Sequence, residues 1–149
     1  MDPTPLLRHL IASIGYRASR ALLDAPKEFG TFEPGAGAGS PLRVLAHVNA
    51  VLGAAHARLV GIEVVQTDAA DWRTELDRTF VLLERIDAAV ADGRASADSQ
   101  WMPLLQGPLT DVLTHIGQLA MLRRLAGRPV ATGSSYALAP IEIGRVRYA

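Results

Sequence analysis

Apolar side chains recur at three- and four-residue steps through four long stretches of the chain, each bounded by residues that cap or break helices. Leu6, Leu7, Leu10, Ile14 and Leu22 mark the first, over about residues 5–23. The following segment DAPKEFGTFEPGAGAGS, residues 24–40, is rich in Gly and Pro and reads as a loop. Ser40-Pro41 then reads as a helix start, because Ser accepts from an orphan amide and Pro fits a first turn. That second helix covers about 41–60 and stops at Gly61. Asp71 caps a third, 71–92, with Leu76, Phe80, Leu83, Ile86 and Val90 on one face and Gly93 at its end. A polar loop, RASADSQWMPLLQG, leads to Gly107-Pro108 as another helix start. The fourth helix covers about 108–126, with Gly127 and Pro129 as stop signals. Residues 128–149 are a tail whose end, YALAPIEIGRVRYA, has room for one extended segment. The expectation is an all-α chain: one domain over 1–149, with helices of suitable length to pack side by side as a bundle.

The chain has 149 residues and no cysteine, which suits one domain and excludes disulfide scaffolds, Cys-ligated metal sites and thiol nucleophiles. Its 15 basic and 15 acidic residues cancel, and only eight residues are aromatic, so nucleic acid is not the expected partner. Lys27 is the sole lysine, which makes Schiff-base chemistry an unpromising reading. The amino terminus is interrupted by Pro3, Pro5, Arg8 and His9 and lacks the pattern of a secretory signal. No apolar stretch is long enough to span a bilayer, so the expected setting is soluble and cytoplasmic, away from membranes. The Gly-rich PGAGAGS lacks the preceding strand and the Lys-Ser/Thr of a phosphate loop.

Chemistry concentrates in residues 106–127. Asp111 and His115 stand four apart and share one side of a helix, on the flank of the Leu109, Val112, Ile116, Leu119 stripe. A carboxylate and an imidazole placed so could converge on Zn²⁺, Ni²⁺, Fe²⁺ or Mn²⁺. The bland reading is an aspartate favoured by the helix dipole and a histidine hydrogen-bonded to it. Two more histidines, His47 and His56, lie nine residues apart on the second helix and face nearly opposite directions. His56 falls within the Leu45, Leu52, Leu59 stripe and His47 flanks it. That helix is apolar almost all round, so the wheel does not choose between them. His9 reads as a surface or capping histidine. Ser13, Ser19, Ser40, Ser134 and Ser135 carry no nucleophile signature. Arg123-Arg124 suits either an anionic partner or the helix dipole, and Glu84 and Asp87 read as solvated face residues.

Three passages, PLRVLAHVNAVLGAAHARLVG (41–61), the helix starting at Trp72, and GPLTDVLTHIGQLAMLRRLAG (107–127), resemble the DinB/YfiT-like superfamily of metal-dependent proteins, the DNA-damage-inducible family. The His-x-Gly-Gln step at 115–118 is the most telling piece. The resemblance implies a four-helix bundle of up-down-down-up topology, dimeric in many members, with a divalent ion held by three side chains. One ligand is a histidine early in the second helix, which matches His47. The others are histidines four apart on the last helix, matching His115 and position 111. Here Asp111 departs from the pattern, leaving two histidines and a carboxylate, a set with open positions for water or substrate. His56 matches no ligand position and is assigned to packing or the cavity wall.

Members of the superfamily that this chain resembles include thiol-dependent transferases and isomerases that use low-molecular-weight bacterial thiols. The first reading is accordingly a metal-dependent enzyme, a small-thiol transferase or a hydrolase, in which the ion activates the nucleophile and Gln118 or an arginine orients the substrate. The competing reading is a non-catalytic dimeric bundle that binds a small ligand or a protein partner around a degenerate metal site.

Overall fold

Ser40 and Asp71 act at their helix starts as their positions predict. In the computed structural model, which describes residues 1–131, 133 and 135–149, the Ser40 hydroxyl accepts from the Arg43 amide and the Asp71 carboxylate from the Thr74 amide. These caps satisfy donors that a helix leaves orphaned. Helix α1 runs Thr4–Leu22, α2 Pro41–Val60 and α3 Trp72–Ala91. Gly61, at φ 73°, ends α2 in the left-handed conformation that side chains avoid. The 24–40 connection contains one 3₁₀ turn, Lys27–Thr31, whose buried Phe29 packs edge-to-face on Trp72.

The fourth helical stretch departs from the expected boundaries. Residues 94–107 are not a loop throughout, and Gly107-Pro108 is not a helix start. Helix α4 begins at Asp98 and runs to Leu104, Leu105–Leu109 form a π turn, and α5 continues over Thr110–Leu125. Two prolines inside this run mislead a reading by breakers, since each removes an amide from the ladder. The wider π turn accommodates Pro108, and the Thr110 hydroxyl donates to the Leu105 carbonyl at the disturbed step. At the start, the Gln100 side chain accepts from the Ala97 amide and Trp101 donates to Asp98.

The four long helices enclose one core. α2 packs on α3 and α5, and α1 packs on the same two. Leu7, Ile11, Ile14 and Leu22 meet Leu45, Val48, Leu52, Phe80, Leu83, Ile86, Leu109 and Leu119 inside it, all 2% exposed or less. Leu6, expected on the same stripe of α1, is instead 54% exposed. Among the described residues the chain is all-helical, without a strand, and none of its helices is long and apolar enough to cross a membrane.

Asp87, expected on a solvated face, and Arg123, expected to serve an anionic partner or the helix dipole, are both built into the packing. Asp87 is buried and accepts two hydrogen bonds from the Arg8 guanidinium, at 2.9 and 2.8 Å. Arg123 is buried too, donating to the Ala21 and Arg128 carbonyls and to Asp24. Arg123 therefore locks the C-terminal end of α5 to α1 and does not face a ligand, whereas Arg124 is exposed.

The tail forms a 3₁₀ turn at Tyr136–Leu138 and no strand among its described residues. It lies on α1, where a Cβ at Gly15 would stand 2.3 Å from the Val146 carbonyl oxygen. Ser19 accepts from the Tyr148 amide, and the Tyr16 ring sits edge-on to those of Tyr136 and Tyr148. Thr132 and Ser134 lie outside the described residues, and with them the reading of Ser134 as chemically idle.

Candidate metal centre

The apolar faces of α2 and α5 determine where their polar flanks meet. Leu45, Val48 and Leu52 are fully buried on α2, and Leu109, Val112 and Leu119 on the other side of the contact. His47 then projects from the second turn of α2 toward α5. Asp111 and His115 project back from successive turns of α5, just beyond the π turn. The structure brings these three side chains together. Each offers one donor atom, and the three donors lie within 4.8 Å of one another.

Their geometry differs from that of a closed hydrogen-bonded cluster. His115 Nε2 is 3.4 Å from one Asp111 oxygen and His47 Nε2 is 3.7 Å from the other. Both spacings exceed a good N–H···O hydrogen bond. Nitrogen and oxygen donors about 2.0–2.2 Å from a shared ion stand roughly 2.8–3.6 Å apart at ordinary coordination angles. The two imidazole rings are 4.7 Å apart between centroids and steeply inclined, at 78°. Side-chain exposure is 55% for His47, 45% for Asp111 and 19% for His115, so the group sits at the mouth of the α2–α5 contact.

Gln118 has a definite place in this arrangement. Its Oε1 is 2.8 Å from His115 Nδ1. With Nδ1–H donating to that oxygen, the Nε2 lone pair is free and faces Asp111, the tautomer a metal ligand needs. The sequence reading considered Gln118 only as a group that orients substrate. Its one-turn spacing from His115 was the signal for this second role.

His56 and His9 are not part of the group. His9 is exposed on α1. His56 is half-buried, and its pKa is held below the ordinary imidazole value by burial first and by the positive charge of Arg85 second. The choice between His47 and His56 that the helical wheel left open is thus made by the direction of α5.

No family model, curated protein or solved structure matches the chain.

An open groove of about 700 Å³ runs from Asp111 along the α2–α5 contact, floored by Val51, Ala54, Ala55 and Pro108 and edged by Thr110, Thr114 and Arg58. On α2, His47, Val51, Ala54 and Arg58 follow steps of four, three and four, which places them on one face. The sequence reading missed this stripe because only its first member suggested chemistry.

Proposed function

We propose that the chain is a divalent-metal-dependent enzyme in which His47, Asp111 and His115 hold the ion. We further propose that it is a four-helix bundle of the DinB/YfiT-like kind. One observation carries the metal reading: two helices distant in sequence bring three donors within 4.8 Å, with each histidine 3.4–3.7 Å from an Asp111 oxygen and no direct hydrogen bond closing them on one another, so that small side-chain shifts would close the set on one ion.

The donor set fits a borderline or hard divalent ion. Two imidazoles and one carboxylate on a single face suit Zn²⁺, Ni²⁺, Fe²⁺ or Mn²⁺ and leave positions open. When bound, such an ion supplies Lewis-acid activation of water or of a small thiol, the chemistry of a hydrolase or a thiol-dependent transferase. The protein's own contributions are separate from this. Gln118 orients the His115 ring, buried Val112 and Leu119 fix the phase of α5, and the groove beside Asp111 admits a small molecule. The reading includes a homodimer as the working state, with neither nucleic acid nor membrane as partner.

Asp111 favours a second reading, since the family pattern places histidine there: a non-catalytic bundle whose metal site has degenerated. Elemental analysis of the tag-free protein beside His47→Ala and His115→Ala decides between them. About one ion per chain, lost in both variants while their helical circular dichroism persists, is the expected result. A chain that holds no ion after reconstitution with nickel, zinc, iron and manganese overturns the enzyme reading.

A further inference from the structure

At the end of the groove away from the triad, the α2 stripe terminates in Arg58, eleven residues from His47 and so about 16 Å along the helix. Arg58 also lines a second, narrower cleft of about 160 Å³ between α2 and α4, and there Arg94 and Ser99 join it. Ala55 and Pro108, with Arg58, belong to both linings, so the groove and the cleft adjoin at these residues.

The charges along the two adjoining linings are one-sided. Among the described residues Asp111 is the only carboxylate in either lining, and it lies at the triad end. Among the described residues neither Arg58 nor Arg94 is paired with an acidic side chain. Arg58 and Arg94 are both exposed and line the same small cleft, so an anion held there would take directed, charge-assisted hydrogen bonds from both guanidinium groups. The cleft has the volume of about five liquid waters, enough for a carboxylate or phosphate and the first atoms attached to it. Between cleft and triad the groove floor is apolar, with Val51, Ala55 and Pro108.

We infer that the Arg58–Arg94 cleft binds the anionic end, carboxylate or phosphate, of an elongated small molecule whose apolar body lies along the groove toward His47, Asp111 and His115. That the far end of this molecule is the reacting end rests on the metal reading above. The anion cleft itself does not. Arg58 and Arg94 then select substrates by charge and length, at a distance from the bond that changes.

The test uses the full-length protein without added metal, so its outcome is independent of whether the triad holds an ion. Backbone amide resonances are followed while hexanoate, inorganic phosphate or neutral hexanol is added. Saturable shifts with hexanoate or phosphate, confined to residues 54–58, 94–100 and 106–110, support the cleft. Affinity falling about tenfold in Arg58→Gln or Arg94→Gln, and further in the double variant, also supports it. Tighter binding of hexanoate assigns the site to carboxylates with apolar bodies; tighter binding of phosphate assigns it to phosphoryl groups. Equal affinity in the double variant, shifts elsewhere on the chain, or hexanol binding as well as hexanoate overturns the inference. Metal content measured on the same variants should match that of the parent.

Discussion

Helix α2 carries two polar clusters on opposite flanks, and they are built to contrary rules. Toward α3, the buried Asn49 amide donates to the Glu75 carboxylate and carbonyl, and buried Thr79 donates to Asn49. The other Glu75 oxygen accepts from the Ala70 amide and from Arg78. Every one of these polar groups is answered by another, and Glu75 is 1% exposed. Toward α5, the three donors of His47, Asp111 and His115 face one another without hydrogen bonds between them and remain open to solvent. A buried cluster must be self-sufficient, since an unanswered polar group there costs about 1–3 kcal/mol. An exposed cluster can keep its coordination capacity for something else. The Glu75 cluster fixes α2 against α3 and the following connection; the His47 cluster has capacity to spare.

The largest effect should come from breaking the closed cluster. Glu75→Ala strips acceptors from Asn49, Arg78 and the Ala70 amide at once, and a loss of about 3 kcal/mol is expected. In a chain of this length that lowers the melting temperature by roughly 6–12 °C. Asp111→Ala, measured without metal, should shift stability by less than about 0.5 kcal/mol. Thermal and urea unfolding of both variants checks the contrast. A comparable loss in Asp111→Ala would mean that the triad is also a structural cluster.

Added zinc or nickel sharpens the comparison from the other side. At about a hundred times the dissociation constant, a ligand specific for the folded state stabilises it by about 2.7 kcal/mol. That increment should vanish in His115→Ala and persist in Glu75→Ala, since the two clusters share no side chain. A metal-induced rise retained in His115→Ala places the ion elsewhere.

The two clusters were not equally legible in the sequence. Asp111 and His115 declare themselves by a four-residue step within one helix, and the apolar pattern of residues 71–92 predicted a buried face that is buried at Leu76, Phe80, Leu83, Ile86 and Val90. His47 entered through resemblance, because choosing it over His56 requires knowing which neighbour covers which side of α2. Glu75 was invisible as a buried residue, since a carboxylate in the first turn of a helix reads as an exposed group favoured by the dipole. The same holds for Asp87 and Arg123, whose partners Arg8 and Asp24 come from α1 and its far end. The α4 boundary was lost because the polar, Pro-containing stretch before Gly107 reads locally as a loop and Gly107-Pro108 as a fresh helix start, while the helical run begins at Asp98 and carries through both prolines.

Gln118→Ala tests a finer point, that the open cluster is tuned by a residue outside it. Loss of the acceptor beside His115 Nδ1 should weaken metal binding about 10–100-fold in a chelator competition. Stability without metal should stay within about 0.5 kcal/mol of the parent. Gln118→Glu, which keeps an acceptor in place, should recover much of the affinity. Undiminished affinity in Gln118→Ala would reduce the 2.8 Å contact to a surface hydrogen bond.

The smallest expected effect concerns His56, the α2 histidine that belongs to neither cluster. Burial and then the Arg85 charge disfavour its protonated form in the folded chain, so its folded pKa lies below the ordinary 6.5. As pH falls, the unfolded chain takes up the proton first. The stability this residue contributes is therefore complete above about pH 6.5 and is lost as pH drops through that value toward the folded one. Replacing it as His56→Gln should leave the pH dependence unchanged on the alkaline side and make the acid limb shallower. Arg85→Gln should do the same to a lesser degree, because Arg85 is the second cause of the shift and burial remains. Urea midpoints collected between about pH 5 and 8 measure both slopes. Parallel curves for parent and His56→Gln would show that His56 titrates alike in the folded and unfolded chains, and the acid sensitivity would then belong to other groups.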